Sequence, residues 1–176
     1  MSYADRLAAL EPACSLDDAL ALYDDLPAVL SADVLGPWKG RELRTGHPMD
    51  GLLEASGWWG KRFDSVDAVH PLLFSDPTGD VFAVDPRKVP LGMADKVSAA
   101  AVERGRRLMP VLRHVVGTTK PRARLRDVSH RGVVSAAMVY DHLPIIDHFR
   151  AVDDHTLMGV MDQRGAPPYV FLLARG

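Results

Sequence analysis

The chain has 176 residues, a formal net charge of -2, one cysteine, and 47% hydrophobic against 25% charged residues. This length and average composition are typical of a compact globular protein and exclude a disordered or collagen-like chain. The lone Cys14 excludes an internal disulfide framework and a cysteine-based zinc site. A near-neutral charge disfavours nucleic-acid binding, and no signal peptide or membrane-spanning run is recognised, so we expect a cytoplasmic protein.

The first thirty residues have an acidic, helical pattern. Ser15 is a suitable helix N-cap, and Asp17 and Asp18 follow it in the first turn, where the helix dipole favours acids. Apolar residues then recur on one helical face, and Pro27 is expected to end the helix.

Glycines and aromatic residues dominate the next segment. We interpret Gly36-Pro-Trp-Lys-Gly40 as a turn that feeds a strand. Its Trp38 either plugs the end of a sheet or barrel, or also forms the floor of a ligand cavity. Residues 51–61 are predicted to form a short helix carrying Trp58 and Trp59.

The second half of the chain changes from helical to alternating patterns. Short strands are predicted at 72–75 and 81–85. Residues 89–116 have a composition that favours a helix, but Gly105 and Pro110 argue against one straight helix. Five strands are then predicted, at 122–129, 131–141, 144–152, 155–162 and 169–174. Their short links require antiparallel neighbours, so we predict an α+β fold in which a curled antiparallel sheet or barrel surrounds a cavity.

Charge is unevenly distributed along the chain. Residues 104–131 contain nine Lys or Arg and a single acid, Asp127. A basic stripe can bind phosphate groups, but aromatic residues that would stack on bases are missing from it. An exposed helix and edge strand facing the acidic N-terminal helix is the simpler interpretation.

His47 and Asp50 are close enough in sequence to hydrogen-bond, which would orient a histidine for proton transfer. Alternatively, Asp50 caps a helix that starts at Gly51 and His47 is a surface residue. Lys61 and Arg62 either bind an anionic substrate or are ordinary solvated charges.

Asp147 lies between two apolar residues on the stripe expected to face the core. Burial raises the pKa of such a carboxyl group, and a carboxyl group that stays protonated can act as a general acid. The alternative is a structural ion pair with an arginine: Arg62, Arg131 or Arg150.

Several motifs resemble known families. Those that resemble the bacterial GXWXG domain are Gly36-Pro-Trp-Lys-Gly40, Thr45-Gly-His-Pro48, Asp50-Gly-Leu-Leu-Glu54 and Gly57-Trp-Trp-Gly-Lys-Arg-Phe63. Those that resemble DUF4334, the domain of unknown function that follows it, are Val133 to Asp141, Pro144 to Arg150 and Leu157 to Asp162. We therefore describe a helical segment (1–30), a GXWXG region (31–88) and a DUF4334 region (89–176), expected to form one compact unit.

The Gly-x-Trp element is also similar to the signature of calycin barrels, the lipocalins and haem-binding nitrobindins. In addition, the family resembles a bacterial α-pinene oxide lyase, which opens an epoxide without a cofactor. These resemblances imply a calycin-like barrel that binds a small hydrophobic molecule. They also imply cofactor-independent lyase or isomerase chemistry on a terpene-like or epoxide substrate.

On this hypothesis Asp147 donates a proton, and the other catalytic candidates are His47, Tyr140 and Asp50. The expected ligand-binding side chains are Trp38, Trp58, Trp59, Lys61, Arg62, Met138 and Phe149. The alternative is a non-catalytic carrier, or a haem-binding barrel with His148 or His155 as axial ligand. We expect no metal site, and neither nucleic acid nor a membrane as a partner. Whether the protein forms a homodimer is left open by the sequence.

Overall fold

A computed structural model describes residues 1–89 and 98–175 of the chain. Its strands are β1 (Gly36–Glu42), β2 (Trp58–Ser65), β3 (Ala68–Ser75), β4 (Val81–Ala83), β5 (Ala123–His130), β6 (Val133–Tyr140), β7 (Ile145–Asp153), β8 (Thr156–Gln163) and β9 (Tyr169–Ala174). Its helices are α1 (Tyr3–Leu10), α2 (Leu16–Asp25), α3 (Leu52–Ser56), α4 (Ala99–Arg106) and α5 (Met109–Val116). Within the described ranges, each helix is too short or too polar to cross a membrane.

The strands close into an eight-stranded antiparallel barrel. Neighbours in sequence pair with one another along the meander, β1 pairs with β9, and β2 pairs with β3. Strand β5 follows β3 around the barrel through one register pair, Val69 with Ala123. The short β4 pairs with the end of β3 as a ninth strand. The prediction of an α+β fold with an antiparallel barrel is confirmed.

The N-terminal region completes the barrel wall between β6 and β7. These two strands pair directly only over a short stretch. Beyond it, the Ala136 N–H donates to the Val29 carbonyl (2.7 Å) and the Ala151 N–H donates to the Pro27 carbonyl (3.1 Å). Backbone groups that would be exposed at the split therefore find partners in residues 27–31. Helices α1 and α2 pack over the outer faces of β7, β8 and β9.

Two helical predictions are confirmed. The Ser15 side chain accepts a hydrogen bond from the Asp18 N–H at the start of α2, and that helix ends at Asp25, two residues before Pro27. The 98–116 stretch is broken into α4 and α5, with Pro110 in the first turn of α5. Residues 90–97 of the predicted 89–116 helix, and residue 176, lie outside the described residues.

The predicted helix over 51–61 is wrong in its second half. Helix α3 ends at Ser56, because Gly57 adopts a left-handed conformation (φ 81°) that stops the helix. Trp58 then begins β2, which pairs with β1 on one side and β3 on the other. Pairing with β1 and β3 makes residues 58–61 a strand. The spacing of apolar residues over 51–61 fitted a helix and gave no sign of these two partners.

Glycines allow β1 and β2 to pack closely. A Cβ atom on Gly40 would overlap the indole ring of Trp58, which lies across β1 at that point. Gly60 has φ 144°, and a Cβ atom there would overlap the Trp38 carbonyl oxygen. Gly40, the last residue of the Gly-x-Trp-x-Gly element, must therefore be a glycine, because the Trp58 ring of β2 occupies the space that a Cβ atom would need.

We expect Gly40→Ala to lower the free energy of unfolding by about 1–3 kcal/mol, because the Trp58 ring must move out of its packed position. Gly105→Ala is the matched control: its added methyl group meets open space on α4, and alanine favours the helix. Urea unfolding followed by tryptophan fluorescence measures both. Equal stability of the two variants would contradict the packing argument.

Candidate functional site

The lumen of the barrel is lined by aromatic and aliphatic side chains from every wall. The buried aromatic members are Trp38, Trp58, Phe63, Phe74, Tyr140, Phe149, Tyr169 and Phe171. Phe149 is central, since its ring packs against Phe63 (5.7 Å between ring centroids) and Phe171 (6.3 Å). A buried aromatic cluster thus lies inside the barrel, and the ligand cavity expected there from the sequence stays a prediction.

Two opposite charges are buried within this aromatic cluster. Lys61 Nζ lies 2.7 Å from Asp147 Oδ2, and the two side chains are only 3% and 2% exposed. Lys61 Nζ also donates to the Pro71 carbonyl (3.2 Å). The solvated-charge alternative for Lys61 is wrong, and Asp147 pairs with Lys61 instead of the three arginines considered from the sequence.

A bulge in β2 points Lys61 into the lumen. Strict alternation from Trp58 would place Lys61 on the outer face. The β2–β3 register shifts on both sides of Gly60, and Lys61 pairs with Trp38 across the β1–β2 ladder. The extra residue at the bulge restores the inward direction for Lys61 and Phe63.

Aromatic faces surround the buried ammonium group. Lys61 Nζ lies 5.0 Å from the ring centroid of Phe171, 5.7 Å from that of Trp58 and 5.9 Å from that of Tyr140. Such faces attract cations through the ring quadrupole. Met138 is fully buried and lies opposite Asp147 on the adjacent strand. The structure thus brings four of the predicted residues, Trp58, Lys61, Tyr140 and Met138, together around Asp147.

One carboxylate oxygen of Asp147 is buried without a partner. Among the described residues, Oδ1 has no hydrogen-bond donor, whereas Oδ2 faces Lys61. Burial raises the pKa of Asp147 above its ordinary value, and the Lys61 charge opposes that shift. A carboxyl group with a raised pKa and one open oxygen can exchange a proton with a molecule placed beside it.

Trp38 is almost fully buried in the core cluster of the barrel. Its indole Nε1–H donates to the Val34 carbonyl (2.6 Å), and the Arg175 guanidinium lies 4.6 Å from the ring centroid. Trp59 and Arg62 are only half-buried, and Arg62 faces Asp64 at 3.0 Å. These two predicted ligand-binding residues thus lie on the opposite face of β2 from the lumen.

His47 and Asp50 organise a loop. Asp50 Oδ2 accepts from the backbone N–H groups of Thr45, Gly46 and His47 at 2.8–3.1 Å. The His47 ring accepts from the Met49 N–H through Nδ1, so its Nε2–H donates to the Pro167 carbonyl (3.3 Å). Burial lowers the pKa of His47, which favours this neutral ring. The contact between the two residues is through the His47 backbone, so Asp50 does not orient the ring.

Glu42, a residue that sequence reasoning missed, caps α3 in place of Asp50. Its carboxylate accepts from the N–H groups of Gly51 (2.7 Å) and Leu53 (2.8 Å). Gly51 itself is the N-cap and supplies no side chain. The prediction that Asp50 caps this helix is therefore wrong. Helix capping by a residue nine positions upstream has no local sequence signal.

The candidate haem ligands lie outside the lumen. His148 is on the outer face of β7, stacked on His130 with 3.8 Å between ring centroids and 7° between planes. Asp162 Oδ2 lies 4.0 Å from His148 Nε2. Nitrogen lone pairs lie in the ring planes, so two parallel stacked rings do not converge on one metal ion as they stand. His155 is exposed in the β7–β8 turn.

Phe171 is a lumen residue that sequence reasoning also missed. It packs edge-on against Trp58 (5.8 Å between ring centroids). Gly159 makes room for it, because a Cβ atom there would overlap the Phe171 ring. Alternation along the predicted last strand, with Tyr169, Phe171 and Leu173 on one face, is the signal that could have found it.

The fold and this lumen define a small antiparallel barrel with helical covers, in which the Lys61–Asp147 ion pair is buried among aromatic rings. Residues 21–79 match the model of the GXWXG protein family, and residues 121–175 match the domain of unknown function DUF4334. A crystal structure of a protein from Thermomonospora curvata is 33% identical, with a TM-score of 0.74. The alignment covers 100% of this chain and 99% of that one.

The chain belongs to the GXWXG/DUF4334 family, as its motifs predicted. No curated protein matches the sequence.

We expect Asp147→Asn to lower the free energy of unfolding by about 3–5 kcal/mol, because it leaves the Lys61 ammonium group buried without a countercharge. The double variant Lys61→Met/Asp147→Leu removes both charges and is expected to regain most of that stability. Urea unfolding measures both variants. A double variant no more stable than Asp147→Asn would show that the charge imbalance is not the cause.

The free energy of unfolding should also depend on pH, through the protonation of His148. Burial, with the neighbouring His130, lowers the pKa of His148 from 6.5 to about 4. The unfolded chain therefore binds a proton near pH 6.5 that the folded protein does not bind until about pH 4. The stabilisation is complete above pH 6.5 and is lost as the pH falls towards 4, by roughly 2 kcal/mol after partial screening by solvent.

The matched variant is His148→Phe, which keeps a ring stacked on His130 but cannot titrate. Its unfolding midpoint in urea should change less between pH 6.5 and pH 4 than that of the wild type. Parallel curves for the two proteins would refute the assignment.

Proposed function

We propose that the barrel binds a small, mainly apolar molecule next to Asp147 and isomerises or cleaves it by cofactor-independent acid–base chemistry. The observation that carries the proposal is the buried Asp147 Oδ1, which has no partner among the described residues, at the centre of an aromatic cluster. A terpene-like epoxide has the matching chemistry: an apolar skeleton for the rings and one oxygen that can accept a proton.

The proposed reaction begins with protonated Asp147. Oδ1 gives its proton to the epoxide oxygen, and the carbon–oxygen bond breaks with its electron pair moving to oxygen. Positive charge develops on carbon, where the π faces of Trp58, Tyr140 and Phe171 stabilise it. Lys61 stabilises the carboxylate that remains.

The second step returns the proton. A carbon–hydrogen bond beside the cationic carbon breaks, its electrons form an alkene, and the proton goes to the Asp147 carboxylate. In a strained bicyclic substrate, a ring carbon–carbon bond breaks before the proton is lost. The product is an isomer of the substrate in both cases, so the cycle consumes no co-reactant.

A carrier is the second candidate, favoured by the ion pair itself. Lys61 and Asp147 already neutralise each other at 2.7 Å. An aromatic lumen in which Lys61 and Asp147 are paired with each other can hold an apolar molecule without reacting with it.

The test is incubation of the purified protein with α-pinene oxide, with products separated by gas chromatography. We expect an isomeric product, lost by a factor of about 10²–10⁴ in the stable double variant Lys61→Met/Asp147→Leu. Tyr140→Phe, which keeps the ring, should retain turnover. Lys39→Gln removes an exposed lysine from β1 and should match the wild type.

Two results would overturn catalysis by this pair. One is full turnover in the double variant. The other is quenching of tryptophan fluorescence by the epoxide without any product, which would assign the barrel to a carrier.

A further inference from the structure

The Arg and Lys side chains of the basic segment, residues 104–131, are not among the buried residues of the protein. Some of them instead line an open cleft of about 770 Å³ on the outer wall. The cleft lies between β4, the end of α5 and residues 117–122. Its cationic lining residues are Arg62, Arg87, Lys88, Arg113, Lys120 and Arg122. Asp85 is the single acid among the described residues that line it.

One buried carboxylate holds two guanidinium groups in this cleft. Asp85 Oδ2 lies 2.7 Å from Arg87 Nη2 and 2.9 Å from Arg122 Nη2, and the Asp85 side chain is 2% exposed. Hydrogen bonds from Arg87 hold the pKa of Asp85 well below its usual range, so the carboxylate stays ionised. The pair of arginines keeps one net positive charge and a fixed orientation, as bidentate oxyanion binding requires.

Polar atoms in the cleft wall also lack partners. Arg122 Nε and His70 Nδ1 are buried without a hydrogen bond to any described residue. The His70 side chain is 5% exposed, and its Nε2 lies 3.4 Å from Asp64. Burial lowers the pKa of His70, so the ring is neutral and Nδ1 can accept a hydrogen bond from a ligand hydroxyl. Arg122 Nε offers a donor to a ligand oxygen.

Positive charge remains after the nearby acids are counted. Arg113 faces Asp76 and Asp80 at 3.3–3.4 Å, and Arg62 is balanced by Asp64. Within residues 1–89 and 98–175, Lys88 and Lys120 have no carboxylate at ion-pair distance. The cleft therefore has an excess of cationic groups, which attracts anions.

We propose that this cleft binds a small phosphorylated molecule, independently of the lumen. The phosphate oxygens face Arg87, Arg122 and Lys120, and the apolar part of the ligand lies along Val81 and Phe82 of β4. Among the described residues that line this concave cleft, Phe82 is accompanied by no tryptophan or tyrosine. Such a cleft suits a small molecule better than a nucleic-acid strand, which binds along an extended groove with several stacking rings.

The experiment is isothermal titration of the full chain with inorganic pyrophosphate. We expect one bound pyrophosphate per chain. Arg87→Gln/Lys120→Gln should weaken binding by about tenfold or more, because it removes two of the proposed phosphate contacts. The control Lys39→Gln/Arg44→Gln removes the same charge from exposed positions outside the cleft and should bind as the wild type does. Thermal unfolding confirms that both variants are folded.

Citrate and an oligothymidine strand, at matched ionic strength, separate phosphate recognition from other anion binding. Binding of pyrophosphate at least about tenfold tighter than citrate supports the proposal. The proposal is overturned if wild-type protein binds no pyrophosphate or if the two double variants lose affinity equally. It is also overturned if citrate binds as tightly, or if the oligothymidine binds more tightly, which would assign the surface to nucleic acid.

Discussion

Lys61 and Asp147 carry opposite charges in the lumen of a small barrel. Their mutual attraction offsets the free-energy cost of removing each charge from water. Their separation of 2.7 Å and almost complete burial mean that either charge alone would strongly favour unfolding. The β2 bulge is what makes the pair possible. Gly60 allows the close approach of β1 there, and Gly40 in turn accepts the Trp58 ring. The glycines of the family motif thus support the charged centre as well as the strand packing.

The barrel separates two kinds of chemistry on its inner and outer faces. Inside, Asp147 has one oxygen paired with Lys61 and one that has no partner among the described residues, both surrounded by aromatic rings. Outside, residues such as Arg87 and Arg122 share a buried carboxylate and face a polar cleft. On β2 the separation follows from alternation after the bulge, since Lys61 points into the lumen and its neighbour Arg62 lines the cleft.

Much of the barrel and part of the candidate site could be predicted from the sequence. The alternation from Arg122 onward identified five strands, and the apolar neighbours of Asp147 identified a carboxyl group on the core-facing side of a strand. The helix assigned to 51–61 and the cap assigned to Asp50 were wrong, because spacing did not show that β2 has two pairing partners or that Glu42 reaches α3. The partner of Asp147 was also missed, since alternation without a bulge places Lys61 outside.

The sequence by itself determined the family, the α+β class, the antiparallel order of the C-terminal strands and the inward direction of Asp147. These properties depend on local periodicity, on short links and on contiguous motifs. Only the tertiary structure decided that the first strand closes against the last, that Lys61 faces Asp147, and that arginines distant in sequence converge on Asp85. Those contacts join segments far apart in the chain, and their energies come from burial and charge pairing that exist only after the barrel has closed.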